Sequence, residues 1–387
     1  MQHFDLIIVG GGLAGASLAL ALRDSALRVA LVEAQPPRRP DGWDARIYAV
    51  SPANVAFLDA IGAWRHLDRQ RIAPIAAMKV FGDAGGALEF SAYETGVADL
   101  GCILESSLVA CELWEGLKRQ SNLALFIGQK PAALEFRDEV AVLRLADGET
   151  LSAALLVGAD GRDSWVREAA GLPAHNRHYG EKGVVANFAT DRPHRNIAWQ
   201  WFGDDGVLAY LPLPGQRMSI VWSAPDALAD ELCQLSPEAL CERVELAGRG
   251  VLGKLDLLTP AQAFPLRLMR VPEIVARRLA LVGDAGHGIH PLSGHGINLG
   301  FQDAQALADR LLASKAWEDI GDLRFLQGYQ RARREEITLM QTTTDALRRL
   351  FAAPSPLLRP LRNLGLNFTN RLPVAKSVLV RYALGGF

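Results

Sequence analysis

Gly10, Gly12 and Gly15 stand in the spacing Gly-x-Gly-x-x-Gly. In such a loop the first glycine allows a tight turn. The second lets backbone amides meet a pyrophosphate, and the third packs a helix onto a strand. Leu13 and Ala14 open that helix, whose unpaired N–H groups and positive end attract phosphate. Glu33, followed by Ala34, comes 33 − 12 = 21 residues after Gly12. A carboxylate at that strand end accepts hydrogen bonds from a ribose. The unit suits a dinucleotide and does not separate NAD from FAD. Two further segments follow apolar strands: Asp160-Gly161, and a run from Gly283-Asp284 through His290-Pro291 to Gly294, Gly296, Ile297 and Asn298. His287, His290 and His295 fall in that run, but no cysteine or carboxylate completes an ordinary zinc set, so no metal is expected.

The surrounding elements follow from periodicity. Residues 4–9 read as a buried strand, 16–24 as a helix and 27–32 as a second strand, a compact βαβ unit. Residues 51–61 and 107–118 read as helices, and 78–90 as a hairpin. The stretch 140–157 is strand-rich. Residues 183–222 show short strands split by turns, as in an antiparallel sheet inserted between two parts of an α/β domain. Residues 279–282 restore the buried-strand pattern. Beyond Gly294 the chain reads as helical, with breaks at Pro354, Pro356, Pro360 and Pro373.

Composition narrows the function. The 387 residues are 49% hydrophobic and 22% charged, which excludes wholesale disorder. A net charge of −2 argues against a nucleic-acid partner. Four scattered cysteines make no disulfide framework. No targeting leader and no membrane-length apolar run is read, so a cytoplasmic protein is expected.

The three glycine-bearing motifs, in this order, resemble those of the class A flavoprotein monooxygenases. Asp44-Ala45-Arg46 leading into Tyr48, the segments 208–213 and 219–223, and His290-Pro291-Leu292 are most similar to the FAD-dependent hydroxylases of ubiquinone biosynthesis. Gly286, Ser293 and His295 stand where that branch more often shows Ala, Ala and Gln. The resemblance implies an α/β fold: a Rossmann-like FAD-binding domain of the GR2 type (residues 1–72, 100–176 and 274–310). A mainly antiparallel β-sheet substrate domain (73–99 and 177–273) is inserted, and a helical region (311–387) closes the chain.

It also implies roles. Asp284 would hydrogen-bond the ribityl chain. Asp160 and Gly161 would support the pyrophosphate region, and Arg46 would contact the flavin side. Gly294, Gly296, Ile297 and Asn298 open a helix whose amides would face the flavin N1–C2=O edge. His290 and Pro291 would shape the loop on the flavin face and are the catalytic candidates. NADPH or NADH would reduce FAD, and dioxygen captured as the C4a-hydroperoxide would hydroxylate a polyprenylated phenol. Trp199, Trp201, Tyr210, Leu211, Pro212 and Trp222 would suit its ring and tail, though an ordinary sheet core accounts for each equally well. Three alternatives stand: another aromatic substrate, an oxygen-independent FAD oxidoreductase, or a flavin-bearing subunit of a ubiquinone-biosynthesis complex. Residues 331–387 carry ten basic and three acidic side chains, a net of +7 interleaved with leucines. Two readings stand equally: peripheral contact with the inner face of a membrane through these helices, or helices packed on the FAD-binding domain with their basic face solvated.

Overall fold

The computed structural model describes residues 1–290, 296–352 and 358–370 together with Leu372 and Lys376. The apolar run near the N-terminus forms the strand Gln2–Val9, paired in parallel with Thr150–Gly158 on one side and Val29–Glu33 on the other. Leu279–Leu281 and Leu123–Ile127 extend the sheet outward, also in parallel. Leu6, Ile7 and Ile8 are fully buried, as a strand covered on both faces requires. The helix Leu13–Ala21 packs between Ser106–Leu117 and Gly296–Leu312. It starts three residues before the expected 16–24, directly after the glycine loop.

The second sheet has nine strands. Its central order is Gln262–Arg270, His175–Thr190, Arg217–Pro225, Gly206–Leu213, Ile197–Gly203, Ala77–Phe81 and Ala87–Ser91. These pairs are antiparallel except Ile197–Gly203 with Ala77–Phe81, which is parallel. The 16-residue strand His175–Thr190 begins well before residue 183, because His175–His178 continue the ladder beyond an irregularity between His178 and Lys182. A small sheet of Ile47–Val50, Cys102–Glu105 and Ala73–Pro74 lies in the chain between the two.

Two long helices close the described chain, Leu323–Ala352 and Leu358–Asn370. Pro360 is no break: it sits in the first turn of the second helix, where an N–H has no intrahelical partner to lose. Pro354, Pro356 and Pro373 lie outside the described residues. The second helix covers the free edge of the nine-stranded sheet. The side-chain oxygens of Asn363, Asn367 and Asn370 accept the backbone N–H groups of Gly86, Ala87 and Glu89 at 2.8, 2.9 and 3.1 Å. Edge N–H groups left open would template pairing with another chain. The basic character of this region serves the same docking. Arg333 pairs with Asp303, Arg348 with Glu181, Arg359 and Arg362 with Asp83, and Lys376 with Glu94. Much of the +7 is thus neutralised against acidic residues of the body. Among the described residues no helix is long and apolar enough to cross a membrane.

Candidate active site

The glycine loop divides its labour as the spacing predicts. Gly10 has φ +102°, and a Cβ there would meet the Ala159 carbonyl oxygen at 2.4 Å. A Cβ on Gly15 would lie 2.0 Å from the Gly10 carbonyl oxygen, so Gly15 packs the helix and does not face the cavity. A Cβ on Gly12 would meet nothing within 4 Å. Gly12 is also the N-cap of Leu13–Ala21, with no side-chain cap and no acid in the first turn. The orphan N–H groups of that turn are open to an anion. Glu33 fixes the loop from the next strand: its carboxylate accepts Gly11 N at 2.6 Å and Gln35 N at 2.8 Å. A carboxylate has about four acceptor sites, so Glu33 keeps capacity for hydroxyl donors. Trp114 Nε1 donates to the Gly11 carbonyl at 2.8 Å and holds the other side.

From this cradle a cavity of about 790 Å³ runs to the nine-stranded sheet. Gly10, Gly12, Leu13, Ala14, Glu33 and Ala34 line its first part. Arg46, Asp160, Gly161, Asp284, Gly296, Ile297 and Asn298 line the remainder of that side. The Asp160 carboxylate is engaged within its own turn, accepting Ser164 Oγ at 2.5 Å and Val166 N at 3.0 Å, and burial pushes it above the usual carboxylate range against those bonds. Asp284 does reach the cavity, with Arg162 at 3.7 Å. Arg46 is exposed, 5.7 Å from the Tyr48 ring. Burial raises the Tyr48 phenol despite Arg46 nearby, which keeps it a hydrogen-bond donor at the cavity wall.

The last motif is held from behind. Asn298 accepts Ser51 N and Asn54 Nδ2, both at 2.9 Å, and donates to the Ala49 carbonyl at 2.8 Å. It ties the first turn of Gly296–Leu312 to the segment after Arg46. Asp303, fully buried, accepts Gly283 N at 2.9 Å, His287 Nε2 at 2.6 Å and Arg333 Nε at 2.7 Å. Burial alone would raise its pKa, but His287 and Arg333 outweigh that and hold it low. Sequence reasoning missed Asp303 as the anchor of the Gly283-Asp284 turn, since its partners come from two other segments, Gly283–His287 and the helix Leu323–Ala352.

The aromatic candidates on the sheet require a correction. Across four strands Val185, Val221, Ala209 and Gln200 stand opposite one another, and all four line the cavity with Leu211. One residue along, Val184, Trp222, Leu208 and Trp201 form the matching row on the other face. Trp201, Tyr210 and Trp222 are 5%, 1% and 2% exposed and build a separate core with the helices Asp226–Gln234 and Pro237–Ala247. Pro212 lies opposite Met218, a residue of that core. Alternation decides this: Tyr210 and Leu211 cannot share a face. Of the six, Leu211 and Trp199 line the cavity.

His290 also turns away. Its side chain is fully buried, with Nε2 3.2 Å from Glu181 and its ring edge-on to Tyr179 at 5.0 Å. Glu181 in turn accepts Arg348 at 2.7 Å. Burial opposes ionisation of Glu181, yet hydrogen bonds from His290 and Arg348 keep its pKa below the usual value. His290 therefore ties the chain after His287–Gly288 to the strand His175–Thr190 through Glu181. Pro291 and Gly294 lie outside the described residues.

The donor set fits FAD: an uncapped helix end with an open glycine, a carboxylate with spare acceptor capacity on the cavity lining, and a second helix N-terminus further along one cavity. The family described as FAD binding domain matches residues 3–343. The chain is 34% identical to the ubiquinone hydroxylase UbiL of Rhodospirillum rubrum, covering 98% of this chain and 89% of that one. It is 34% identical to the 3-demethoxyubiquinol 3-hydroxylase of Escherichia coli, covering 99% of each. Among solved structures, the p-nitrophenol 4-monooxygenase PnpA of Pseudomonas putida superposes with a TM-score of 0.80 at 19% identity, covering 100% of this chain and 99% of that one, a likeness of fold.

Proposed function

The chain belongs to the FAD-binding-domain family and, within it, to the FAD-dependent hydroxylases of ubiquinone biosynthesis, and from that premise we propose that it hydroxylates the ring of a polyprenylated phenol. One observation carries the reading: a single cavity joins the phosphate cradle to an apolar sheet wall of Val185, Ala209, Leu211 and Val221. FAD, when bound, supplies the redox chemistry that couples NAD(P)H and dioxygen to hydroxylation. The protein's part is to bind and orient. Gly12 and the first turn of Leu13–Ala21 would hold the pyrophosphate, Glu33 the ribose and Asp284 the ribityl chain. Arg46, Gly296 and Ile297 would bound the ring system. The wall of small apolar side chains would hold the substrate ring and exclude water from it. We assign cofactor binding to residues 1–72, 100–176 and 274–310, and substrate binding to 73–99 and 177–273.

The described C-terminal helices suit a lipid-borne substrate. On Leu358–Asn370 the asparagine face grips the sheet, while Leu361, Leu364 and Phe368 on the opposite face are 60%, 63% and 63% exposed. Tyr93 is exposed at the neighbouring Lys376–Glu94 pair. Because the cations here are largely paired internally, membrane contact would rest on apolar insertion more than on charge. A partner in a ubiquinone-biosynthesis complex is the competing occupant of that face. Flotation with vesicles of mixed neutral and anionic lipid tests this: binding lost on Leu364→Glu and Phe368→Glu, with little weakening by salt, supports insertion. No flotation at low salt removes it.

The enzymatic reading is tested by oxygen uptake with purified, FAD-loaded protein. Hydroxylated product formed one-to-one with NAD(P)H oxidised on a short-chain 2-prenylphenol supports it. Turnover restricted to hydroxybenzoates transfers the activity to another aromatic class. NAD(P)H-dependent reduction of an acceptor without oxygen uptake would overturn it.

A further inference from the structure

Gln200 is 5% exposed and sits on the cavity face of its strand, a polar side chain between Ala209 and Val80 in the otherwise apolar row Val185, Val221, Ala209, Val80. Its carboxamide makes no hydrogen bond to the protein among the described residues, although its neighbours on that wall offer only methyl and methylene groups. A buried amide with no partner is costly, so native interiors almost always satisfy one. Three other buried polar side chains of this sheet each find at least one protein partner. Asn187 donates to the Asp44 carbonyl at 2.8 Å, Tyr210 to the Val244 carbonyl at 2.5 Å, and Trp222 to the Asp205 carbonyl at 3.0 Å. Among the described residues Asn187 leaves its Oδ1 unpartnered, but away from the cavity lining, whereas the whole carboxamide of Gln200 is unpartnered on the wall of the space a ligand would fill.

We infer that Gln200 is a specificity-determining residue that recognises an oxygen substituent on the substrate ring. A carboxamide carries both an acceptor oxygen and N–H donors, so it can take the proton of a ring hydroxyl or donate to a ring oxygen. Placed in an apolar wall, it registers the ring against the sheet and penalises a ring that lacks the oxygen, because the amide is then buried unpaired. This assignment rests on the phenol-hydroxylase reading above and adds to it which side chain reads the ring.

The test compares binding of a short-chain 2-prenylphenol and the matching prenylbenzene, which lacks only the hydroxyl, to FAD-loaded protein followed by perturbation of the flavin spectrum. Wild type is expected to prefer the phenol by about ten- to hundredfold in Kd. Gln200→Leu should collapse that preference to about threefold or less, chiefly by weakening the phenol, with FAD affinity unchanged. If Gln200→Leu fails to load FAD, Gln200→Met, unbranched like glutamine, takes its place with the same expectation. Undiminished discrimination in the variant overturns the assignment and leaves the enzymatic reading standing, with the amide satisfied by water. Weakened FAD binding with unchanged discrimination also overturns it, moving Gln200 to the cofactor. A wild type that binds neither compound overturns the phenol reading and this assignment with it.

Discussion

The two ends of the cavity are built by different rules. At the cradle the proposed phosphate contacts fall to backbone, with Glu33 beside them: Gly10, Gly12 and the amides opening Leu13–Ala21 would serve because side chains are missing. At the sheet wall the lining is made by side chains, and a one-residue step separates a cavity-lining Val221 from a core-filling Trp222. A backbone site tolerates only glycine at set spacings and is written locally. A side-chain wall tolerates many residues, and its meaning depends on which face looks inward.

The sharpest break of this contrast sets two glycines of the same loop against each other. Gly15→Val should abolish folding or flavin loading outright, because its Cβ falls on the Gly10 carbonyl. Gly12→Val, whose Cβ enters open space, should fold with an unchanged melting temperature and purify colourless. Flavin content and thermal unfolding on both variants check the pair.

The wall yields the next largest effect, from adjacent residues on opposite faces. Trp222→Ala should cost about 3–5 kcal/mol in urea unfolding while leaving ligand Kd nearly unchanged. Val221→Trp should do the reverse, leaving stability within about 1 kcal/mol and blocking substrate binding, since it fills a space already empty. A Val221→Trp protein that binds prenylphenol normally would contradict the orientation of the sheet.

Returning to the cradle, Glu33→Ala removes the acceptor of Gly11 N and the proposed ribose contact. A charge-assisted hydrogen bond is worth about 1.5–3 kcal/mol, so FAD should bind about ten- to hundredfold more weakly. Unchanged affinity in a flavin titration would count against the ribose assignment.

The smallest effect lies outside both ends, where the last helix docks. Burial opposes ionisation of Asp83, but hydrogen bonds from Arg362 and Asn363 lower its pKa from 3.8 to about 2. A carboxyl lowered on folding stabilises the protein above its unfolded value and loses that contribution as pH falls through the folded one. The stability gap between wild type and Asp83→Ala should therefore hold steady above about pH 4 and shrink between pH 4 and pH 2. Unfolding curves across that range check it.

Much of the site was legible from local pattern. The three motifs sit where their spacing places them, because a tight turn, a helix start and a pyrophosphate approach each demand a particular backbone within a few residues. Leu211 reached the cavity, whereas for Trp201, Tyr210 and Trp222 the sheet-core reading, open from the sequence, is the one the structure bears out. Size did not sort the two faces, since Trp199, Phe90 and Phe264 line the cavity beside Ala209, Val185 and Val221. His290 could not be placed from its motif, since Glu181 lies 109 residues away and Arg348 arrives on a later helix. Asp303 was invisible for the same reason.

By itself, then, the sequence determined the glycine loop, the helix that opens after it and the strands that flank it, since these depend on neighbours in the chain. Only the tertiary structure decided which set of alternating residues met the cavity, and that Gln200 stood in an otherwise apolar row with no hydrogen-bond partner among the described residues. Both faces of the nine-stranded sheet are apolar, one covered by helices and the other facing the cavity. Period-two patterning is identical under exchange of two such faces, so the choice falls to what packs against each.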